Sequence, residues 1–435
     1  MPPAPRPAST STSSSDAKPA PARKPRARKP PRPDALATAR EVVERLAPLE
    51  RRAGSPAEHE AAVWIAERLT AAGAPARVEE AEFLDGYAPL IAKLSAVGAA
   101  AGVLGLARRG RGLAAAVAGA AAAAIADDVS NGPRVARKAT QQPQTTWNVV
   151  AEAGDPEAER TLVVMAHHDA APTGAAFDQT LQRTAARLAP GVFERVDTSL
   201  PLWWPVVAAP ALSAWGALTG RRGASAAGIA LGALATASFT DIARSPVVPG
   251  ANDNLSAVAG IVALAERLRA EPVPGIRVLL VSCGAEEVIQ GGIYSFAAEH
   301  FPQLDVERTW FLNYDTIGSP ELVMIEGEGT MVMEDYYWRS FRDLIDDVAA
   351  HEGLALRRGM RSRSSTDAVI PSRARYPTAT LVSFDRAKAM PHYHQMSDTP
   401  DKLDYATIER AVKLTHALLH RLAGDESSSG VASGR

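Results

Sequence analysis

Four apolar runs of six to eight residues each end, directly or after a short loop, on a histidine or a carboxylate. Thr161–Ala166 runs into His167-His168-Asp169, Ile276–Cys283 into Gly284-Ala285-Glu286-Glu287, and Thr309–Tyr314 into Asp315. Thr378–Phe384 leads to His392-Tyr393-His394. A fifth motif, Gly250-Ala251-Asn252-Asp253-Asn254, stands just before the helical pattern Leu255–Arg269. Each of these runs reads as a strand candidate. With a strand at Asn148–Glu152 and helices at Asp335–Glu352 and Tyr405–Leu422, they give a β/α alternation. Ligands of such sheets gather beyond the C-terminal ends of the strands. One acidic residue after a strand is commonly a helix cap. Five motifs in step with the strands are hard to explain by caps.

A two-metal hydrolytic site needs a bridging carboxylate, terminal His and Asp/Glu ligands, and a base for the metal-bound water. Imidazole and carboxylate without thiolate suit zinc in an open catalytic site. In His167-x-Asp169 the two side chains point the same way if strand geometry continues, so Asp169 can fix the tautomer of His167. In Glu286-Glu287 neighbouring side chains point apart, leaving one for metal and one for substrate as a general base.

Taken together, His-x-Asp, Gly-Ala-x-Asp-Asn, Glu-Glu, Asn-x-Asp and His-x-x-x-Asp-Thr resemble the M28 family of zinc peptidases. The matching pieces are Val164–Asp169, Gly250–Ser256, Gly284–Glu287, Asn313–Gly318 and Tyr393–Asp401. The resemblance covers about residues 40–423, apart from two apolar stretches. It implies a three-layer α/β sandwich with a mixed, mostly parallel central sheet. It also implies two zinc ions: His167, Asp253 and Asp315 on one, Asp253, Glu287 and His394 on the other, with Asp253 bridging. Glu286 would be the base, Asp169 would orient His167, and Tyr393 would donate to the developing oxyanion. The expected activity is that of an aminopeptidase acting on peptides with a free N-terminus. A carboxypeptidase, a one-zinc glutaminyl cyclase and a catalytically silent scaffold are the alternatives. His168 and His392 are not expected as ligands, Cys283 reads as core, and Asp398 reads as a brace for the loop of His394. Where many relatives carry Ser-Asp-His before the last strand, this chain has Ser365-Thr366-Asp367-Ala368, which bears on substrate preference.

The apolar stretches read as two inserted helical hairpins, at about 86–140 and 178–246. The first is broken by Arg108-Arg109-Gly110-Arg111-Gly112. The second carries Trp203, Trp204 and Trp215 before Arg221-Arg222-Gly223. Residues 88–107 and 201–219 approach the ~20 residues of a membrane span, but 113–126 is short and the composition is rich in Ala and Gly. A membrane-embedded unit, an interfacial patch and a buried or dimer-forming subdomain compete, with membrane association expected and topology open.

The chain has 435 residues, 46% of them hydrophobic, and one cysteine, Cys283, which rules out an intrachain disulfide. Its net charge of −2 argues against a dedicated nucleic-acid binder. Residues 1–34 carry +6, leaving −8 for the rest. This Pro/Ala-rich stretch has too few apolar residues to fold alone and reads as a disordered tail, as do residues 424–435. It has no hydrophobic signal-peptide segment, so the sequence predicts a cytoplasmic protein. The peptidase domain is expected over 35–423, its first clear element being the capping box Ser55-Pro56-Ala57-Glu58.

Overall fold

The computed structural model describes residues 34–107, 110–385 and 389–424, with Met1, Pro3 and Ala4. The expectation of disordered tails falls almost wholly outside the described residues. Nine strands form one sheet: β1 Ala76–Leu84, β2 Pro143–Gly154, β3 Thr161–His167, β4 Arg277–Cys283, β5 Thr309–Tyr314, β6 Glu321–Glu328, β7 Glu334–Asp335, β8 Arg357–Ser362 and β9 Thr378–Phe384. Their order is β1-β2-β4-β3-β5-β9-β6-β7, with β8 paired to β6. The central strands β4, β3, β5 and β9 are mutually parallel. β2 on one side and β6 on the other run antiparallel to them.

The helices are α1 Ala35–Leu46, α2 Pro56–Ala71, α3 Tyr87–Gly105, α4 Arg111–Val129, α5 Val135–Thr140, α6 Thr180–Leu188 and α7 Pro190–Arg195. After them come α8 Trp203–Thr219, α9 Arg222–Arg244, α10 Ser256–Ala270, α11 Gly291–His300, α12 Arg339–His351, α13 Val369–Arg373 and α14 Tyr405–Leu422. Side chains alternate across a strand, so each central strand feeds two cores. Leu162, Val164 and Ala166 of β3 pack under α1, α2, α10, α12 and α14. Val163 and Met165 face α11 and α13 with Phe296, Phe311 and Cys283. Helices cover both faces, which gives the expected three layers.

Three local expectations need correction. An additional helix, α1, precedes Ser55; Asp34 caps it through Leu36 N at 3.0 Å. The capping box is only half formed. Ser55 Oγ accepts from Glu58 N at 3.1 Å, but the Glu58 carboxylate turns inward to Gly54 N, Thr146 Oγ1 and Ala285 N. Burial, with Asp169 nearby, pushes its pKa up to about 8. Long-range hydrogen bonds in a dry interior outweigh the local cap. The Asp335 end of the predicted helix Asp335–Glu352 is strand β7, and the helix starts at Arg339.

The apolar stretches form α3/α4 and α8/α9. α3 packs on α4, α8 and α9, and α8 packs on α4 and α9, so the two hairpins make one four-helix bundle. At its base Tyr87, Ile91, Ile125, Phe239 and Ile242 share a core with Ala285 and Val288.

Candidate metal centre

His167 ends β3, and Glu286 and Glu287 follow β4, its parallel neighbour. Asp315 follows β5, on the other side of β3. Asp253 lies in the turn before α10, and His394 in the loop after β9. The sheet therefore brings six residues from five motifs to one edge.

Their polar atoms converge. His167 Nε2 lies 3.5 Å from Asp253 Oδ1 and 3.8 Å from Glu286 Oε2. His394 Nε2 lies 3.3 Å from Asp253 Oδ2 and 3.1 Å from Glu287 Oε2. Asp253 thus turns one oxygen to each histidine. Donor atoms of His167, Asp253 and Glu287 all lie within 4.8 Å of one another. Asp315 lines the same pocket.

The donor set fits zinc. Asp253 Oδ2, Glu287 Oε1 and His394 Nε2 are buried without a hydrogen-bond partner. Buried polar atoms are rarely left unpaired, and Asp253 Oδ2 and His394 Nε2 lie 3.3 Å apart. The electrostatics agree. Burial and Asp253 push the Asp315 carboxyl up to about 7. Burial works against charge on His394, yet Glu287 and Asp253 raise it to about 10. Buried carboxylates crowded this closely favour a nearby cation, and nitrogen and oxygen donors without sulfur match a hydrolytic zinc site.

The surroundings hold this arrangement by main-chain amides. Asp169 Oδ1 is 3.4 Å from His167 Nδ1, on the ring edge away from Asp253. Its two oxygens accept from Glu286 N at 2.9 Å and Glu287 N at 3.0 Å. Asp169 therefore ties the end of β3 to the glutamate loop. Asp398 accepts from Asn252 N and Asp253 N at 2.9 and 3.1 Å, bracing the Asp253 turn as well as its own loop. Asn254 donates to Tyr314 O and accepts from Thr316 N, joining that turn to β5. Gly284 is the one residue type its position admits, because an added Cβ would collide with Thr146 Oγ1. Ala285, Ile289, Gln290, Thr316, His392 and His394 all have φ between 52° and 70°. Non-glycine residues in that region are strained and cluster at functional sites.

Tyr393 lines the pocket and stacks on His394 with ring centroids 3.9 Å apart. Phe177 meets the His394 ring edge-on at 4.4 Å. His168 turns away from the cluster: its Nδ1 sits 2.9 Å from Ser282 Oγ, and burial lowers its pKa to about 4. His392 pairs with Ser397 Oγ. In the departure from Ser-Asp-His, Thr366 is fastened to Glu328, and Ala368 is fully buried. Burial raises the neighbouring Asp367 carboxyl to about 7.

Sequence reasoning missed three residues. Gln290 donates to Glu286 Oε1 at 2.7 Å and to Ser365 O at 2.9 Å. Glu58 receives Ala285 N. Arg51, wholly buried, donates to His168 O, Leu46 O and Pro249 O, tying the ends of β3 and of the Asp253 turn to α1. The cost of burying a guanidinium is the signal that marks such a residue, and it shows only once burial is known.

Residues 235–419 match the model of Peptidase family M28. No curated protein sequence matches the chain. Among solved structures, an aminopeptidase from Aneurinibacillus sp. strain AM-1 superposes with a TM-score of 0.52 at 13% identity, covering 90% of this chain and 94% of its own. A glutaminyl cyclase from Bacteroides thetaiotaomicron gives 0.53 at 14%, covering 90% and 98%. A zinc aminopeptidase from Bacillus subtilis gives 0.51 at 14%, covering 90% and 96%. Likeness at such identity speaks for the fold, and the family match covers the part of the chain that carries Asp253, Glu286, Glu287, Asp315 and His394. Residues 235–419 thus match peptidase family M28, and the fold is the one shared by these zinc aminopeptidase and glutaminyl cyclase structures.

Proposed function

We propose that the chain is a dinuclear zinc aminopeptidase that removes uncharged, apolar residues from the N-termini of peptides. The observation that carries this reading is the charge of the pocket. Asp253, Glu286, Glu287 and Asp315 line it, and among its described lining residues there is no Lys or Arg. With zinc held by Asp253, Glu287 and Asp315, a free α-amine would bind through its lone pair to a metal, its hydrogens facing carboxylate oxygens. An α-carboxylate held clear of the metals would need a guanidinium or ammonium, which this lining does not offer. The lining also includes Ile325, Val382, Phe384 and Met390, an apolar surface for the first side chain of the peptide.

His167, Asp253 and Asp315 would hold one zinc, and Asp253, Glu287 and His394 the other. When bound, the metals supply positive charge that polarises the scissile carbonyl and acidifies water. The chain's own groups do the rest. Gln290 fixes Glu286 Oε1 at 2.7 Å, leaving Oε2 on the side of His167. Oε2 would take the proton of the attacking water and return it to the leaving amine, and burial, which raises the Glu286 pKa, suits it to both tasks. Tyr393 would donate its hydroxyl hydrogen to the developing oxyanion.

Hydrolysis of leucyl-, glutamyl- and lysyl-p-nitroanilide, beside N-acetyl-leucyl-p-nitroanilide, tests the reading. The leucyl substrate should be cleaved fastest and the acetylated one not at all. Equal cleavage of the acetylated substrate would sink it, as would cyclisation of N-terminal glutamine without hydrolysis of any free-amine substrate.

A further inference from the structure

The distal half of the four-helix bundle is built inside out. The residues it buries are small: Ser95, Gly98 and Gly102 on α3, Ser213 and Gly216 on α8, and Gly228 on α9. The residues it turns outward are large and apolar. Leu104, Leu113, Trp215, Leu218 and Leu234 are between 51% and 72% exposed, and Val97 and Val117 join them. The base of the same bundle has the ordinary polarity, with Tyr87, Ile91, Ile125 and Phe239 buried. In water the distal pattern forgoes the gain that burying large apolar side chains brings. In lipid it is the expected one. There apolar side chains gain nothing by turning inward, and small residues let helices approach closely.

Charge follows the same division. α8 has no charged residue, α4 has none between Arg111 and Asp127, and α9 has none between Arg222 and Asp241. In α3 the only charged residue is Lys93, exposed and nearer the base, where its long stem can carry the ammonium toward water. The arginines gather at the tips. The Arg111 guanidinium lies against Gly220, so the α3/α4 and α8/α9 turns sit side by side, and Arg221 and Arg222 are exposed beside them. α3, α4 and α9 are each long and apolar enough to cross a membrane, at 19, 19 and 23 residues. Beyond the residues that share the domain core, α3 runs from Lys93 to Gly105 and measures about 20 Å, so crossing a hydrocarbon layer of about 30 Å requires the tip arginines to snorkel and the bilayer to thin locally. Arginines at the tip exclude a half-depth insertion, because it would leave them in the apolar interior, whereas a full crossing delivers them to the far headgroups. Trp203 and Trp204 begin α8 at the opposite end, where tryptophan belts form.

We propose that α3, α4, α8 and α9 span a lipid bilayer as one bundle, with the peptidase domain at one bilayer face and the arginine turns at the other. The occupant of the outward apolar face is lipid, not a second copy of the chain. The loop carrying Glu286 and Glu287 shares a core with the bundle base through Ala285 and Val288. The active centre thus stands close to the membrane surface. Partition can be measured without substrate, so this proposal stands or falls separately from the aminopeptidase reading.

The test uses the full chain expressed in bacteria. Membranes are washed with 1 M salt and with alkaline carbonate, and the purified protein is mixed with phosphatidylcholine/phosphatidylglycerol vesicles and floated. Wild type should resist both washes, float with the vesicles and need detergent to stay monodisperse. Val97→Asp with Leu234→Asp changes two exposed side chains, which a water-soluble bundle would accept. Here the pair should lower the membrane-retained fraction at least about tenfold while the circular dichroism in detergent is unchanged. Gly112→Cys and Gly191→Cys, both in open space, add a thiol at the tip and on the domain side, against a buried Cys283. An impermeant maleimide should reach one in spheroplasts and the other in inverted vesicles. Wild type that is monodisperse without detergent, as monomer or dimer, overturns the proposal, and so does labelling of both thiols from the same side.

Discussion

Gln290 donates its side-chain amide to Glu286 Oε1 at 2.7 Å, so the residue assigned as the base is held by a neighbour four residues along. Gln290 is itself buried and is anchored by a second bond to Ser365 O. Gln290→Leu should therefore leave Glu286 present but poorly aimed. The expected result is a fall in kcat of about tenfold, part of the 10²–10⁴ that a general base contributes. KM and zinc content should stay as in wild type. Steady-state kinetics with metal analysis checks this, and an equal loss in a metal-depleted variant would show that Gln290 only supports the metal site.

Asp253 turns Oδ1 toward His167 and Oδ2 toward His394. As the residue common to both metal positions, it should be the one whose loss affects both. Asp253→Asn should bring zinc from two ions per chain to below one by elemental analysis. Asp315→Asn and Glu287→Gln should each mainly weaken one. If Asp253→Asn still retains two ions, the bridge is wrong.

Arg137 and Asp128 form a bidentate ion pair with N–O distances of 2.9 and 2.6 Å, both side chains about 1% exposed. Arg137 also donates to Leu84 O and Val288 O, fastening the end of α4 beside the glutamate loop. Arg137→Ala leaves Asp128 buried without its partner. Such truncations cost about 3–5 kcal/mol, and denaturant unfolding should show that loss. Replacing both partners by apolar residues should restore much of it.

Glu328 is buried and accepts from Thr366 N at 3.0 Å. Burial raises its pKa from 4.5 to about 8. A carboxyl whose folded pKa is raised stabilises the fold fully below its unfolded pKa and loses that contribution as pH rises through the folded one. Stability should thus decline between about pH 4.5 and pH 8, by up to about 1.4 kcal/mol per pH unit from this group. Glu328→Gln should remove that part of the slope. Urea midpoints for both proteins across this range measure the difference, and parallel curves would contradict the assignment.

Much of the sheet and the donor set was legible because both obey local rules. A strand buried on both faces is dominated by apolar residues, as Leu162–Ala166 and Val278–Val281 are, and donors must follow directly where ligands gather. Glu58 and Arg51 were not legible because their partners, Ala285 N and His168 O, lie far away in sequence, and Gln290 was not because its anchor Ser365 O is distant and its turn back to Glu286 depends on left-handed backbone at Ile289 and Gln290. At Ser55 the local signal was correct for the serine and misleading for Glu58, whose carboxylate found better donors in the interior. Strands β6 and β8 pass charged residues, Arg357 pairing with Glu321 and Glu326 with Arg358 and Arg342, which hides the alternation. The apolar stretches announced helices, but only packing shows that the hairpins combine and which residues they turn outward.

The most direct test of the central claim compares wild type with Glu286→Gln, both loaded with zinc, on leucyl-p-nitroanilide, with metal counted in each. Wild type should hold two zinc ions and hydrolyse the substrate, while the variant keeps both ions and loses about 10²-fold or more in kcat. Undiminished turnover by Glu286→Gln, or two bound zinc ions with no hydrolysis of any free-amine substrate by wild type, would contradict the account.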